Sequence, residues 1–115
     1  MRWVKEMGAT KTDLFTKKQN ELAAMAKALG HPARIAILQQ LIKSKACMCG
    51  SLVEELGLAQ ATISQHLKEL KQVGLIQGIV EGTNVCYCIE PKVWLRYKQF
   101  FTTFFKDLPD NQSCC

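Results

Sequence analysis

The amino-acid sequence predicts a mainly α-helical domain carrying one β-hairpin, in the order four helices, two strands and a last helix. Apolar residues recur at helical spacing in five segments, a glycine-containing turn separates a short helix from a longer one, and a two-residue alternation occupies residues 75–89. A length of 115 residues suits one hydrophobic core rather than two. With 48% hydrophobic and 22% charged residues, wholesale disorder is excluded.

Residues 1–12 mix Arg2, Trp3, Lys5, Gly8 and Lys11 without a sustained period and are expected to form an N-terminal arm. The folded domain is expected over residues 13–107. From Asp13 onward Leu14, Leu22, Met25, Ala26 and Leu29 mark a first helix, which Gly30 should close in a left-handed cap. Pro32 opens a second helix, where its missing amide costs nothing; Ile35, Leu38, Leu41 and Ile42 line one face, and the helix should end near Lys43 to Lys45.

Leu52, Val53 and Leu56 give a short third helix that stops at Gly57, and a fourth begins near Gln60. A helix, a tight turn with glycine and a second helix make a helix-turn-helix. Ile63, Leu67 and Leu70 share a stripe of the fourth helix, which turns Ala61, Ser64, Gln65 and Lys68 to the opposite face and Glu69 to the side. Leu75 to Val80 and Asn84 to Ile89 read as strands around a turn of Glu81, Gly82 and Thr83, the wing. The last helix begins at Pro91, and residues 108–115 are expected to be a flexible, cysteine-containing tail.

The last helix carries more aromatic surface than one small core needs. Trp94, Tyr97, Phe101, Phe104 and Phe105, with Leu14 and Leu22 of the first helix, are therefore candidate residues of a symmetric dimer interface.

Fifteen Lys and Arg against ten Asp and Glu leave a net charge of +5, which attracts polyanions and admits nucleic acid or an anionic membrane. No run approaches the roughly 18 apolar residues of a membrane span, and the N-terminus lacks a signal peptide's apolar stretch. A cytoplasmic protein with no membrane partner is expected. In that compartment cysteines serve metal binding or redox chemistry more often than a disulfide framework. The six cysteines fall in pairs: Cys47 with Cys49, Cys86 with Cys88, and Cys114 with Cys115. Adjacent Cys114 and Cys115 do not easily close a relaxed disulfide with each other.

A major-groove helix needs short polar side chains near its N-terminus and cations on its flanks. Gln60, Ala61, Thr62, Ser64 and Gln65 meet the first need and Lys68 and Lys71 the second, with Thr83 and Asn84 of the wing turn near the neighbouring backbone. Gln65 suits a bidentate bond to adenine and Ala61 a thymine methyl. A solvated helix face is the plain alternative.

Three segments carry a family resemblance: Ala28-Leu29-Gly30-His31-Pro32-Ala33-Arg34-Ile35-Ala36-Ile37-Leu38, the run Gln60 to Leu70, and Gly74-Leu75-Ile76. Over roughly Leu22 to Leu95 the chain resembles the ArsR/SmtB winged helix-turn-helix repressors. The resemblance implies a homodimer on a double-stranded, inverted-repeat operator, with no cofactor in the repressing state and no enzyme activity. It also implies that Cys47-Met48-Cys49, ahead of the third helix, captures the inducer, since arsenic-, cadmium- and lead-sensing members carry a similar Cys-x-Cys there. The pair stands one residue earlier than the family's usual pattern, and Gly50 replaces an aspartate.

Soft thiolates select thiophilic ions. Trivalent arsenic or antimony is the expected inducer, held by Cys47 and Cys49 with Cys114 or Cys115 as a third sulfur. Zinc and nickel sensors of the family place histidine ligands on the final helix, whereas no histidine lies between Pro91 and Cys115. Cys86 and Cys88 share one strand face and read as small packing residues, and His31 and His66 as structural or phosphate contacts. A repressor answering to thiol oxidation or persulfidation is the alternative within the fold. A thiol oxidoreductase or metal carrier is the alternative outside it, although no Cys-x-x-Cys on a βαβ pattern is present.

Overall fold

The structure is a computed structural model that describes residues 14–44, 47–49 and 52–109. Helix α1 spans Lys17–Leu29, α2 Pro32–Ser44, α3 Leu52–Leu56 and α4 Gln60–Gln72. Strand β1 is Met48–Cys49, β2 Ile76–Glu81 and β3 Asn84–Ile89, and α5 closes the order at Pro91–Lys106.

Helix α1 starts later than the apolar spacing suggests. Thr16 takes the N-cap: its hydroxyl accepts from the Gln19 amide at 3.0 Å, and the Gln19 side chain accepts from the Thr16 amide at 2.9 Å. That reciprocal box fixes the first turn at Lys17 and leaves Leu14 and Phe15 exposed ahead of it.

Gly30 also departs from expectation, because its φ of −81° is not left-handed. A Cβ there would stand 3.3 Å from the carbonyl oxygens of Ala26 and Lys27, so glycine serves close approach, not a positive φ. The Arg34 guanidinium takes over the cap and donates to the carbonyls of Lys27 and Ala28 at 3.3 and 3.0 Å. The left-handed cap does occur at the end of α3, where Gly57 has φ 68°.

The wing belongs to a three-stranded antiparallel sheet of order β1-β3-β2. Strand β1 was not expected, since two residues are too few to show an alternation. Glu81 pairs with Asn84, so the turn has two loop residues, Gly82 and Thr83, rather than three. Gly82 at φ 63° supplies the positive φ that the first position of a primed hairpin turn requires. Leu75 lies just outside β2, fully buried, and its carbonyl accepts from the Glu90 amide at 2.8 Å, pinning the start of the hairpin to its end.

The core gathers Ile37, Leu38 and Leu41 of α2, Leu52 of α3, Ile63, Leu67 and Leu70 of α4, and Leu75 and Ile76 at the sheet. Met25 of α1 and Tyr97 of α5 complete it from the other side. Each such side chain contributes roughly 1.5–3 kcal/mol by leaving water. Glu90 caps α5 by accepting from the Lys92 amide, and Pro91 fills its first turn. An Arg96–Glu21 ion pair then ties α5 to α1.

Candidate nucleic-acid interface and thiol site

The two faces of α4 are sharply divided. Ile63, His66, Leu67 and Leu70 are buried, whereas Gln60, Ala61, Thr62, Ser64, Gln65, Lys68 and Lys71 are exposed. The helix is thus anchored by one stripe and presents a small, polar, basic surface with the other. Gln60 donates to Ser64 at 3.1 Å and Gln65 to Glu69 at 3.3 Å, exchangeable contacts that hold both amides along the helix surface. Ala59 at the N-cap makes no side-chain hydrogen bond to the first turn. Thr83 and Asn84 are exposed at the wing tip.

His66 lies among the core residues. Its Nδ1 accepts from Arg34 Nε at 3.2 Å, and its ring stands 4.3 Å from that of His31, centre to centre. Burial above all, then the His31 ring and the Arg34 guanidinium, hold its pKa below the ordinary histidine value, while Glu69 pulls the other way. Nδ1 of His31 in turn accepts from the Ala33 amide at 3.0 Å. Arg34 therefore touches the end of α1, starts α2 and steadies α4. His31-Pro32-Ala33-Arg34 is a structural brace, and His66 is placed for packing rather than for phosphate. The spacing 63, 66, 67, 70 carried the signal for His66, which sits within the inward stripe.

The thiols converge where β1 meets β3. The register sets Cys49 opposite Cys86 and Met48 opposite Tyr87, and one further step brings Cys47 to Cys88. Cys47 and Cys88 are both free and half-buried, and their thiols are hydrogen-bonded. That bond first, then burial and the neighbouring Cys47 and Glu90 charges, push the Cys88 thiol up to about 11. Cys86 is fully buried and disulfide-bonded. The packing role expected for Cys86 and Cys88 is therefore incomplete: one is oxidised and the other is the neighbour of Cys47. No signal along a single chain links positions 41 residues apart; only the strand pairing does. Cys114 and Cys115 lie outside the described residues.

Of the expected dimer residues, Tyr97 is buried and Trp94 half-buried within the chain's own fold. Leu14, Phe104 and Phe105 are exposed, and Leu22 and Phe101 are partly covered.

Residues 31–77 match the family model described as bacterial regulatory protein, arsR family. An uncharacterized HTH-type transcriptional regulator of Methanocaldococcus jannaschii is 37% identical over 79 residues, covering 67% of this chain and 88% of the relative. The chain belongs to the ArsR family. The HTH-type transcriptional repressor SmtB of Mycobacterium tuberculosis is 43% identical over 63 residues, 55% of this chain and 46% of that protein; the chain thus spans about half of the mycobacterial repressor's length. Among solved structures, the homodimeric winged helix-turn-helix DNA-binding domain of a possible ArsR-family regulator from Mycobacterium bovis superposes with a TM-score of 0.60 at 23% identity, covering 84% of this chain and 90% of that one.

This ArsR-family chain is accordingly an HTH-type transcriptional regulator with a winged helix-turn-helix fold. Its relatives are named as regulators and repressors, which removes the thiol oxidoreductase alternative. Among the described residues no helix is long and apolar enough to cross a membrane.

Proposed function

We propose that two copies of this repressor bind an inverted-repeat operator, and that they release it when thiolates at the β1–β3 edge capture trivalent arsenic or antimony. Two α4 helices spaced roughly 34 Å apart would enter successive major grooves, with Gln65 and Ala61 toward base edges and Lys68 and Lys71 toward phosphates. The dimer reading is supported by the exposed aromatics of α5 and by a groove of about 480 Å³ between α1 and α5, walled by Leu22, Phe100 and Phe104.

The inducer reading is carried by one observation, the free Cys47 thiol in contact with Cys88 at the strand that leads into the helix-turn-helix. Soft sulfurs without a histidine beside them suit a thiophilic ion. Capture that favours a dimer geometry mismatched to the two half-sites lowers DNA affinity, and DNA must weaken inducer binding by the same factor. The test is operator binding from the chain's own promoter region, followed by fluorescence anisotropy with and without arsenite. Release by arsenite that disappears in Cys47→Ser supports the reading; release that survives it removes Cys47 from the mechanism.

A second reading is favoured by the disulfide at Cys86: the signal is oxidation or persulfidation of the same sulfurs. Release by peroxide or polysulfide with indifference to arsenite would select it.

A further inference from the structure

We propose that Gly78 is a positioning residue for operator binding: its bare backbone seats the Lys71 ammonium in the angle between α4 and the wing, where that one cation serves both elements against the DNA backbone. The proposal rests on the operator reading above and deepens it by saying what holds the wing to a phosphate.

The wing has no cation of its own. Residues 75–90 contain no Lys or Arg and two carboxylates, Glu81 at the end of β2 and Glu90 ahead of α5. A phosphodiester backbone repels such a segment, and neutral donors such as Thr83 and Asn84 do not offset the charge. The positive charge has to come from a neighbouring element.

The structure brings one there. Lys71 stands in the last turn of α4, one turn beyond Lys68 and exposed like it. On the wing, Gly78 lies opposite Tyr87 in the register, and Val80 lies opposite Val85 on the same face of the sheet. A Cβ on Gly78 would stand 3.4 Å from Val85 Cγ1, 3.4 Å from Tyr87 Cε1 and 3.5 Å from Lys71 Nζ. The ammonium therefore reaches across from α4 and occupies the space into which a longer side chain at 78 would grow.

Gly78 is not one of the glycines with positive φ, so its use here is room rather than conformation. An alanine methyl fits at ordinary contact distance, whereas a branched side chain would collide with Lys71, Val85 or Tyr87. Among the described residues the Lys71 ammonium has no ion pair or hydrogen bond, so its three donors are uncommitted. A phosphate bound there is held to the reading helix through the lysine stem and to the wing through the strand beneath it. Displacing the ammonium loosens both at once.

The experiment follows binding of the full chain to a duplex from its own promoter region by fluorescence anisotropy over a range of salt. Lys71→Ala should weaken binding about tenfold near 0.15 M salt, equally for all single-base operator variants, and lower the slope of log affinity against log salt by roughly two per dimer. Gly78→Val keeps the lysine and places a strand-favouring residue in β2, yet it should reproduce both changes. Gly78→Ala should stay within about twofold of the unaltered chain. Asn84→Ala should weaken binding in the unaltered chain and in Lys68→Ala, but add little in Lys71→Ala, because the wing has already been released. An undiminished salt slope in Gly78→Val, an Asn84→Ala without effect in the unaltered chain, or additive losses for Lys71 and Asn84 would overturn the proposal. Should Gly78→Val lower the urea midpoint, the Lys71 and Asn84 cycle decides alone. If the unaltered chain ignores every duplex even at low salt, the operator reading falls and takes this proposal with it. If it binds and Lys71→Ala leaves affinity and slope intact, the operator reading stands and only this proposal falls.

Discussion

Helix α5 has two halves of like composition and opposite fate. Tyr97, Phe101 and Phe105 recur every four residues, with ring centres 6.4 Å apart at each step, so they form one continuous aromatic row. At one end of the row Tyr97 is 7% exposed; at the other Phe105 is 69% exposed, with Phe104 edge-on beside it at 5.2 Å. The first half closes the chain's own core, while the second continues the same surface beyond what the other described residues cover. On the dimer reading proposed above, a single helix serves two cores, one internal and one completed by a second copy.

The largest expected effect comes from breaking the open half. Phe104→Ser/Phe105→Ser should leave the fold intact, since both side chains are exposed, yet yield monomers in sedimentation. Loss of simultaneous engagement of two half-sites should then weaken operator binding by roughly 10²–10⁴-fold. A variant that remains dimeric would place the partner on another surface. Next comes the closed half. Tyr97→Ala should cost about 3–5 kcal/mol of stability, the range for deleting a buried large aromatic, seen as a lower urea midpoint with dimer contacts otherwise unaltered. If it behaves like the Phe105 change instead, the division of the helix is wrong.

A smaller effect sharpens the contrast by touching neither half. Gln65 is exposed on α4, far from the aromatic row in function, and Gln65→Ala should weaken operator binding by about 1–3 kcal/mol and relax the choice at one base pair of each half-site. Stability and dimerisation should stay as they were. Competition with single-base operator variants reads the change, and uniform weakening across all of them would make Gln65 a phosphate contact.

Much of this was legible along the chain, and what was not has physical causes. The inward stripe Ile63, Leu67 and Leu70 and the outward Ala61, Ser64, Gln65 and Lys68 follow from helical periodicity alone, and the structure keeps that division. Periodicity says when a face is apolar, not which body covers it, so Tyr97 and Phe105 were alike in sequence and differ in the fold. Leu14 extends the apolar pattern ahead of α1, whereas the helix starts at Lys17, where Thr16 and Gln19 carry the capping-box spacing. Strand β1 and the meeting of Cys47 with Cys88 depend on tertiary pairing across the sheet, which local pattern does not encode.

The smallest expected effect is on pH dependence, and it isolates the brace beneath α4 from both halves of α5. His66 is buried, and its Nδ1 is the acceptor for Arg34, so a proton added there would set a donor against a guanidinium, beside the His31 ring. Among the described residues Glu69 favours the charged form, and it does not prevail: the native pKa lies below the ordinary value of 6.5. Between that lowered value and 6.5 the unfolded chain binds more protons than the native one, so stability rises with pH across the window. The contribution is fully present above pH 6.5 and declines as pH falls through the window to the native pKa. Urea midpoints measured from pH 7.5 to 5 should fall more steeply for the unaltered chain than for His66→Gln, which keeps an acceptor for Arg34 and cannot take up the proton. Equal slopes would mean that the acid sensitivity of the reading helix arises elsewhere and that Arg34 holds it without help from a neutral imidazole.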